Sequence, residues 1–182
     1  YSDNSIIEFP LNYMNDENKK VAIESIEKIY PRGCTNIWNG LEESLKILYH
    51  NKIASNNKSV FLLTDGMPNI SPPRGHIEML KRFQDKYPDC GKIFTYGFGY
   101  EVDSELLSNL AKYSGGNYYM IPDSSFLGTI FEHSFSNLVT SYTDNLIIKL
   151  ENNGNEIKNT FNTYLTNKES SYYNITFGPL QY

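Results

Sequence analysis

Apolar residues along the chain recur at two spacings, which predict helices and buried strands in alternation. Spacings of three and four residues predict five helices, which begin near Asn15, near Asn36, after the Pro-Pro-Arg-Gly segment at 72–75, at Asp103 or Ser104, and at Ser124. Gly115 lies where a left-handed glycine would end the fourth helix. Short apolar runs predict strands at 5–9, 60–64, 92–97 and 117–121.

Strands that alternate with helices of about 10 to 15 residues are typical of crossover units. We therefore predict an α/β fold with a doubly wound, mostly parallel sheet and helices on both faces. The pattern changes near Tyr142, because the apolar stretches at 145–150 and 172–178 look like strands with no helical pattern between them. The expected domains are an α/β domain at 1–142 and the start of a small all-β module at 143–182.

Charge and hydropathy exclude several classes of protein. The formal net charge is −5 at pH 7, and the scattered lysines do not form the basic face that nucleic-acid-binding proteins present. No apolar run approaches the roughly 18 residues of a membrane helix, and the sequence does not begin with a signal-peptide pattern. We therefore expect neither a nucleic acid nor a membrane as partner.

The two cysteines and the amino-acid composition bear on where the protein is expected to be located. Cys34 and Cys90 lack the spacing of a zinc site, and we expect two separate reduced thiols in a cytoplasmic protein. The chain is also rich in Asn, Lys, Ile and Tyr, which indicates an AT-rich genome. If the source is a large DNA virus, the expected location is the virion.

Asp65 is the first candidate for chemistry, because it directly follows the predicted buried strand at 60–64. Ligands of parallel α/β sheets bind outside the carboxyl ends of the strands. The carboxylate could hold a metal, act as an acid or base, or form an Asx turn with Gly66. The sequence has no Gly-x-Ser-x-Gly motif and no nucleophile–base pair, so we predict a non-enzymatic protein. Gly97-Phe98-Gly99 is only part of a dinucleotide fingerprint, which makes a nucleotide-binding enzyme a less favoured reading.

Three segments in this order resemble a von Willebrand factor type A domain: GCTNIWNGL at 33–41, VFLLTDGMPN at 60–69, and the stretch from Ile93 to Asp123. The match is closest to the intracellular branch in which a β-rich hedgehog/intein-associated module follows. The resemblance implies a Rossmann-like fold with a metal-ion-dependent adhesion site (MIDAS) at the upper edge of its sheet. Three loops form that site in the family.

The resemblance assigns two of the metal loops to this chain. Thr35 matches the threonine of the second loop, and Asp65 matches the aspartate of the third. The Asp-x-Ser-x-Ser motif of the first loop is absent from the 182 residues. The family's first strand and first helix would also precede Tyr1, so we expect a fragment of a longer protein. The rival reading is a degenerate domain that closes the gap or borrows a strand.

The implied function is protein–protein interaction assisted by Mg²⁺ or Mn²⁺, provided that the first metal loop exists upstream. Thr35 would be a direct ligand, Asp65 a direct or water-mediated one, and an acidic side chain of a protein partner would complete the site. Thr35 could instead help to cap the helix that begins near Asn36. The alternative function is a scaffold or assembly component with a vestigial metal site.

Overall fold

The computed structural model describes residues 1–51, 57–143, 146–151, 165–169, 172–177 and 180–181. Contacts between Cα atoms divide the chain into two units, Tyr1–Leu127 and Gly128–Tyr182. The domain boundary that the sequence places after residue 142 stays a prediction.

Three parallel strands form the sheet of the first unit. The strands are β1 (Ser59–Thr64), β2 (Lys92–Phe98) and β3 (Tyr118–Ile121), and they lie side by side in this order, which is also their order in the chain. Tyr96 in the central strand lies opposite Leu63 on one side and Tyr119 on the other. A helix connects each strand to the next. The predicted α/β class and the strands predicted in these three places are confirmed.

Five α-helices lie in the part of the chain that the structure describes. They are α1 (Asp16–Glu27), α2 (Ile37–His50), α3 (His76–Lys86), α4 (Ser104–Ser114) and α5 (Leu127–Thr140). The side chains of Asn15, Asn36 and Asp103 each accept the backbone N–H three residues later, which is the bond of a helix N-cap. Gly115 ends α4 in the left-handed conformation, with φ of 79°. The predicted starts at Asn15, Asn36 and Asp103 and the predicted end at Gly115 are confirmed, whereas the helix expected to begin at Ser124 begins at Leu127, after a short 3-10 helix at Ser124–Phe126.

The hydrophobic core of the first unit lies between the sheet and helices α2, α3 and α4. Its main members are Ile37, Trp38, Leu41, Leu45, Leu62, Leu80, Phe83, Ile93, Leu107 and Leu110. Helix α1 contributes no buried residue, and the side chains of Ile23 and Ile26 on its apolar face are 56% and 65% exposed. Both helices share this apolar spacing, but α2 buries its apolar face in the core, whereas α1 leaves Ile23 and Ile26 mostly exposed.

The strand predicted at 5–9 is wrong. The Ser5 N–H donates to Oδ1 of Asn39 in α2 at 2.5 Å, and the described residues provide no strand that pairs with this segment. Ile6 and Ile7 are more than half exposed. A strand forms only where a neighbour accepts its main-chain hydrogen bonds, and the apolar pattern does not report on that neighbour.

Strand β1 lies at one edge of the sheet. The Lys92 N–H of β2 donates to the Lys58 carbonyl at 2.9 Å. Because main-chain groups alternate along a strand, the N–H and carbonyl groups of Lys58, Val60, Leu62 and Thr64 point toward β2. Leu63 therefore turns its main-chain groups to the outer side. There the Tyr1 hydroxyl donates to the Leu63 carbonyl at 2.8 Å. An edge with this geometry can pair with a further strand.

The described residues of the second unit form nearly all of α5 and five short strands. They are β4 (Ser141–Thr143), β5 (Leu146–Glu151), β6 (Leu165–Glu169), β7 (Tyr172–Phe177) and β8 (Leu180–Gln181). Strand β7 pairs antiparallel with β5 and β6, and β4 pairs antiparallel with β8. The strands predicted at 145–150 and 172–178 correspond to β5 and β7. Among the described helices, none has the length and hydropathy to cross a membrane.

Candidate functional site

Thr35 and Asp65 line one groove in the first unit, although 30 positions separate them in the sequence. Thr35 lies in the loop that leads into α2, and Asp65 directly follows β1. The groove has a volume of about 830 Å³, and Tyr1, Tyr30 and Arg32 form other parts of its wall. The fold therefore brings the two predicted metal ligands to the same surface.

The main chain of Thr35 is fixed by hydrogen bonds, whereas its hydroxyl is not. The Thr35 N–H donates to Oδ1 of Asn69 at 2.6 Å. The Thr35 carbonyl accepts the N–H groups of Asn69 at 3.2 Å and Ile70 at 3.4 Å. No hydrogen bond within the described residues uses the Thr35 hydroxyl, which leaves this oxygen available to a ligand.

Thr35 does not cap α2. The N-cap is Asn36, whose Oδ1 accepts the Asn39 N–H at 3.1 Å. The capping role that the sequence left open for Thr35 is therefore wrong.

The Asp65 carboxylate is exposed and uncommitted. It forms neither an ion pair nor a hydrogen bond with the residues that the structure describes. The Asx turn with Gly66 is also absent there, because the Thr64 hydroxyl takes its place. This hydroxyl donates to the Gly66 carbonyl at 3.0 Å and accepts the Gly66 N–H at 3.5 Å.

Tyr1 adds a neutral hydroxyl next to Asp65. Burial raises the pKa of the Tyr1 phenol, and the negative charge of Asp65 raises it further, while a hydrogen bond with Thr64 acts in the opposite direction. The phenol therefore keeps its proton at neutral pH, and it donates that proton to the Leu63 carbonyl.

Asp3 holds the loop that carries Thr35 from the other side. Its Oδ1 accepts the Cys34 N–H at 3.1 Å, and its main-chain carbonyl accepts Nδ2 of Asn36 at 3.0 Å. Gly33 has φ of 42°, which strains any other residue, and a Cβ at this position would displace the Asp3 carboxylate, whose Oδ2 would lie only 2.3 Å away. The loop around Thr35 is thus fastened to two separate segments, at Asp3 and at Asn69.

The cysteines are free thiols, as the sequence predicts. Cys34 is exposed and Cys90 is buried, and neither forms a disulfide. A hydrogen bond with Asp3 and the charge of that carboxylate raise the pKa of Cys34. The Cys34 thiol therefore stays protonated at neutral pH and is a poor metal ligand, although it also lines the groove.

The two free donors suit a hard cation. In the described part of the chain, no three His, Cys, Asp or Glu side chains converge as a metal-binding group would. The Thr35 hydroxyl and the Asp65 carboxylate supply one neutral and one charged oxygen, which fits Mg²⁺ because this ion keeps several of its waters. The pair lacks the nitrogen and sulfur ligands that Zn²⁺ prefers. The role of Thr35 and Asp65 as metal ligands stays a prediction.

The family model of the von Willebrand factor type A domain matches residues 1–133. The chain belongs to this family. Two von Willebrand factor A domain-containing proteins of Dictyostelium discoideum are 35% identical over 123 residues and 29% identical over 157 residues. These alignments cover 67% and 81% of this chain but only 12% and 16% of the relatives. The chain therefore spans a small part of the length of the curated relatives it matches.

Solved structures show the same fold at low sequence identity. The von Willebrand factor type A protein from Catenulispora acidiphila has a TM-score of 0.66 at 14% identity, and the match covers 94% of this chain and 42% of that one. Proximal thread matrix protein 1 from the mussel byssus, with a zinc-occupied MIDAS motif, has a TM-score of 0.59 at 19% identity. That match covers 81% of this chain and 36% of the mussel protein.

The von Willebrand factor type A domain of this chain, residues 1–133, is called the A domain below. It also contains three site residues that the sequence did not reveal, namely Asn69, Asp3 and Tyr1. Asn69 is the last residue of the VFLLTDGMPN stretch that contains Asp65, but it contacts Thr35, which lies 34 positions earlier in the chain. Asp3 and Tyr1 lie in the segment next to the wrongly predicted strand. Nothing in the spacing of these residues indicates their contacts, which depend on how distant loops meet.

His76 at the start of α3 is a buried imidazole of the A domain. The residue is 7% exposed, and its Nε2 has no hydrogen-bond partner among the residues that the structure describes. Burial lowers the pKa of His76, and the negative charge of Asp103 only partly opposes this shift. The folded domain therefore favours the neutral imidazole.

Acidification from pH 7.5 to pH 5 is expected to lower the melting temperature of the A domain. The unfolded chain binds a proton at His76 near its ordinary pKa of about 6.5, whereas the folded domain binds it only at lower pH. Stability is thus lost as the pH falls below that ordinary value. Thermal unfolding of the wild type, His76→Leu and the control His133→Leu would check this. His76→Leu should show a smaller loss, and an unchanged loss would contradict the assignment.

Proposed function

We propose that this A domain is a non-enzymatic protein-interaction module, and that, if an Asp-x-Ser-x-Ser loop precedes these residues, Mg²⁺ held by that loop, Thr35 and Asp65 assists the binding of a protein partner. The observation that carries the proposal is that two oxygen ligands, the Thr35 hydroxyl and the Asp65 carboxylate, line one groove and make no hydrogen bond with the described residues. The Thr35 main chain is fixed while its hydroxyl is left free, and the Asp65 carboxylate has no partner among the described residues.

The chemistry of these two residues suits binding rather than catalysis. A single carboxylate and a neutral hydroxyl would leave a bound Mg²⁺ with much of its positive charge uncompensated. An acidic side chain of a partner would then be the favoured last ligand. The Asp-x-Ser-x-Ser loop of the family, which does not occur in these 182 residues, would supply the remaining protein oxygens.

Titration with Mn²⁺ as a paramagnetic substitute tests the proposal without a known partner. Mn²⁺ should broaden the amide NMR signals of residues 33–36, 65–67 and 69, and excess Mg²⁺ should restore them. Asp65→Asn should weaken the apparent affinity for Mn²⁺ by about tenfold or more, which corresponds to about 1.4 kcal/mol, because the charged ligand is removed. Asp85→Asn in α3 removes an exposed carboxylate of the same charge and should leave the affinity unchanged. Equal broadening in wild type and Asp65→Asn would refute the role of Asp65.

A scaffold with a vestigial metal site is the second candidate function. It is favoured by the apolar face of α1, where Ile23 and Ile26 are exposed. It is also favoured because no group of three or more His, Cys, Asp or Glu side chains among the described residues could hold a metal ion. On this hypothesis EDTA changes neither the melting temperature nor partner binding. A lower melting temperature or weaker partner binding after chelation would favour the metal-assisted module instead.

A further inference from the structure

Asn69 contacts Thr35 on both sides of its Cα atom. Its side-chain Oδ1 accepts the Thr35 N–H at 2.6 Å, and its own N–H donates to the Thr35 carbonyl at 3.2 Å. The N–H and the carbonyl of one residue belong to successive peptide units. Fixing both therefore restricts the φ and ψ angles of Thr35 and, with them, the direction of its Cα–Cβ bond.

The segment from Asp65 to Asn69 is anchored at both of its ends. At the first end, the Thr64 hydroxyl bonds both to the carbonyl and to the N–H of Gly66, on either side of the backbone turn after β1. At the second end, Asn69 binds Thr35. Residues 65–69 thus connect Asp65 directly to the contact that holds Thr35.

The side-chain chemistry at position 69 is specific for this contact. The amide oxygen of Asn69 accepts the backbone N–H of Thr35 at short range. Leucine has nearly the same size but no acceptor, while aspartate retains an oxygen at the same place. The two substitutions separate the hydrogen bond from the volume of the side chain.

We propose that Asn69 is the positioning residue of the candidate metal site and sets the orientation of the Thr35 hydroxyl relative to Asp65. The proposal rests on the proposed function, because it assigns a role in metal binding. Asn69 itself is not assigned as a ligand, since its Oδ1 is already bound to the Thr35 N–H.

Two measurements on the same variants test this role. Hydrogen exchange of the Thr35 amide reports the contact whether or not a metal binds, and Mn²⁺ broadening reports the site. Asn69→Leu should accelerate exchange at Thr35 at least tenfold and weaken Mn²⁺ binding about threefold to tenfold, the usual range for one hydrogen bond. Asn69→Asp should keep Thr35 protected. Asn109→Leu, which replaces an exposed asparagine of α4, should change neither quantity.

The outcomes distinguish this proposal from the proposed function. Slower exchange in Asn69→Asp than in Asn69→Leu, together with weaker Mn²⁺ binding in Asn69→Leu at an unchanged melting temperature, supports the positioning role. Normal Mn²⁺ binding by Asn69→Leu overturns that role and leaves the proposed function intact. Absence of Mn²⁺ binding by the wild type overturns both, even where the exchange data still report the contact with Thr35.

Discussion

Gly116→Ala is expected to lower the free energy of unfolding of the A domain by about 3 kcal/mol or more. A Cβ at position 116 would lie 2.0 Å from the carbonyl oxygen and 2.7 Å from the carbonyl carbon of Ile93. Ile93 is a fully buried residue of the central strand, so its backbone cannot move aside without disturbing the sheet. The clash is with backbone atoms, and no rotamer change relieves it.

Urea unfolding followed by the fluorescence of Trp38 would measure this loss. Trp38 is the only tryptophan and lies buried in the core of the same unit. Gly66→Ala is the matched control, because a Cβ there meets no atom within 4 Å, and it should shift the unfolding free energy by less than about 0.5 kcal/mol. A mild effect of Gly116→Ala, similar to that of the control, would show that the close approach of Gly116 to β2 is incorrect.

Leu45→Ala in α2 is expected to cost about 3 kcal/mol, whereas Ile26→Ala in α1 should cost less than about 0.5 kcal/mol. Leu45 is completely buried in the core cluster, so its truncation removes buried apolar surface and leaves a cavity. Ile26 is 65% exposed and is not part of the core cluster formed by the described residues. The two residues occupy similar positions on apolar helix faces, yet only one of them has something to pack against.

The same urea experiment compares these two variants in the chain of 182 residues. A large cost for Ile26→Ala would mean that the apolar face of α1 is covered in solution, by another segment or by another molecule. A small cost for Leu45→Ala would contradict the core described for α2.

The candidate site was partly accessible from the sequence. Asp65 could be identified because a carboxylate after a buried parallel strand must lie at the edge where ligands bind. Thr35 was identified only through its resemblance to the second metal loop of the family. That both line one groove depends on the bonds of Thr35 with Asn69 and of Cys34 with Asp3, each of which joins residues more than 30 positions apart.

The sequence by itself determined those features of this protein that depend on residues close together in the chain. The caps at Asn15, Asn36, Asp103 and Gly115, and the three strands of the parallel sheet, follow from contacts within a few residues and from the spacing of apolar side chains. Such features are encoded nearby in the chain, so a pattern that spans a few turns is enough to find them.

Only the tertiary structure decided which apolar segments acquire a neighbour. The segment at 5–9 reads as a strand but does not pair as one, and α1 has an apolar stripe that stays exposed while the stripe of α2 is buried. Likewise Gly115 is a recognisable helix end, whereas the need for glycine at 116 comes from the Ile93 backbone 23 residues earlier. Burial and pairing are properties of two distant segments together, and the pattern of either segment alone does not contain them.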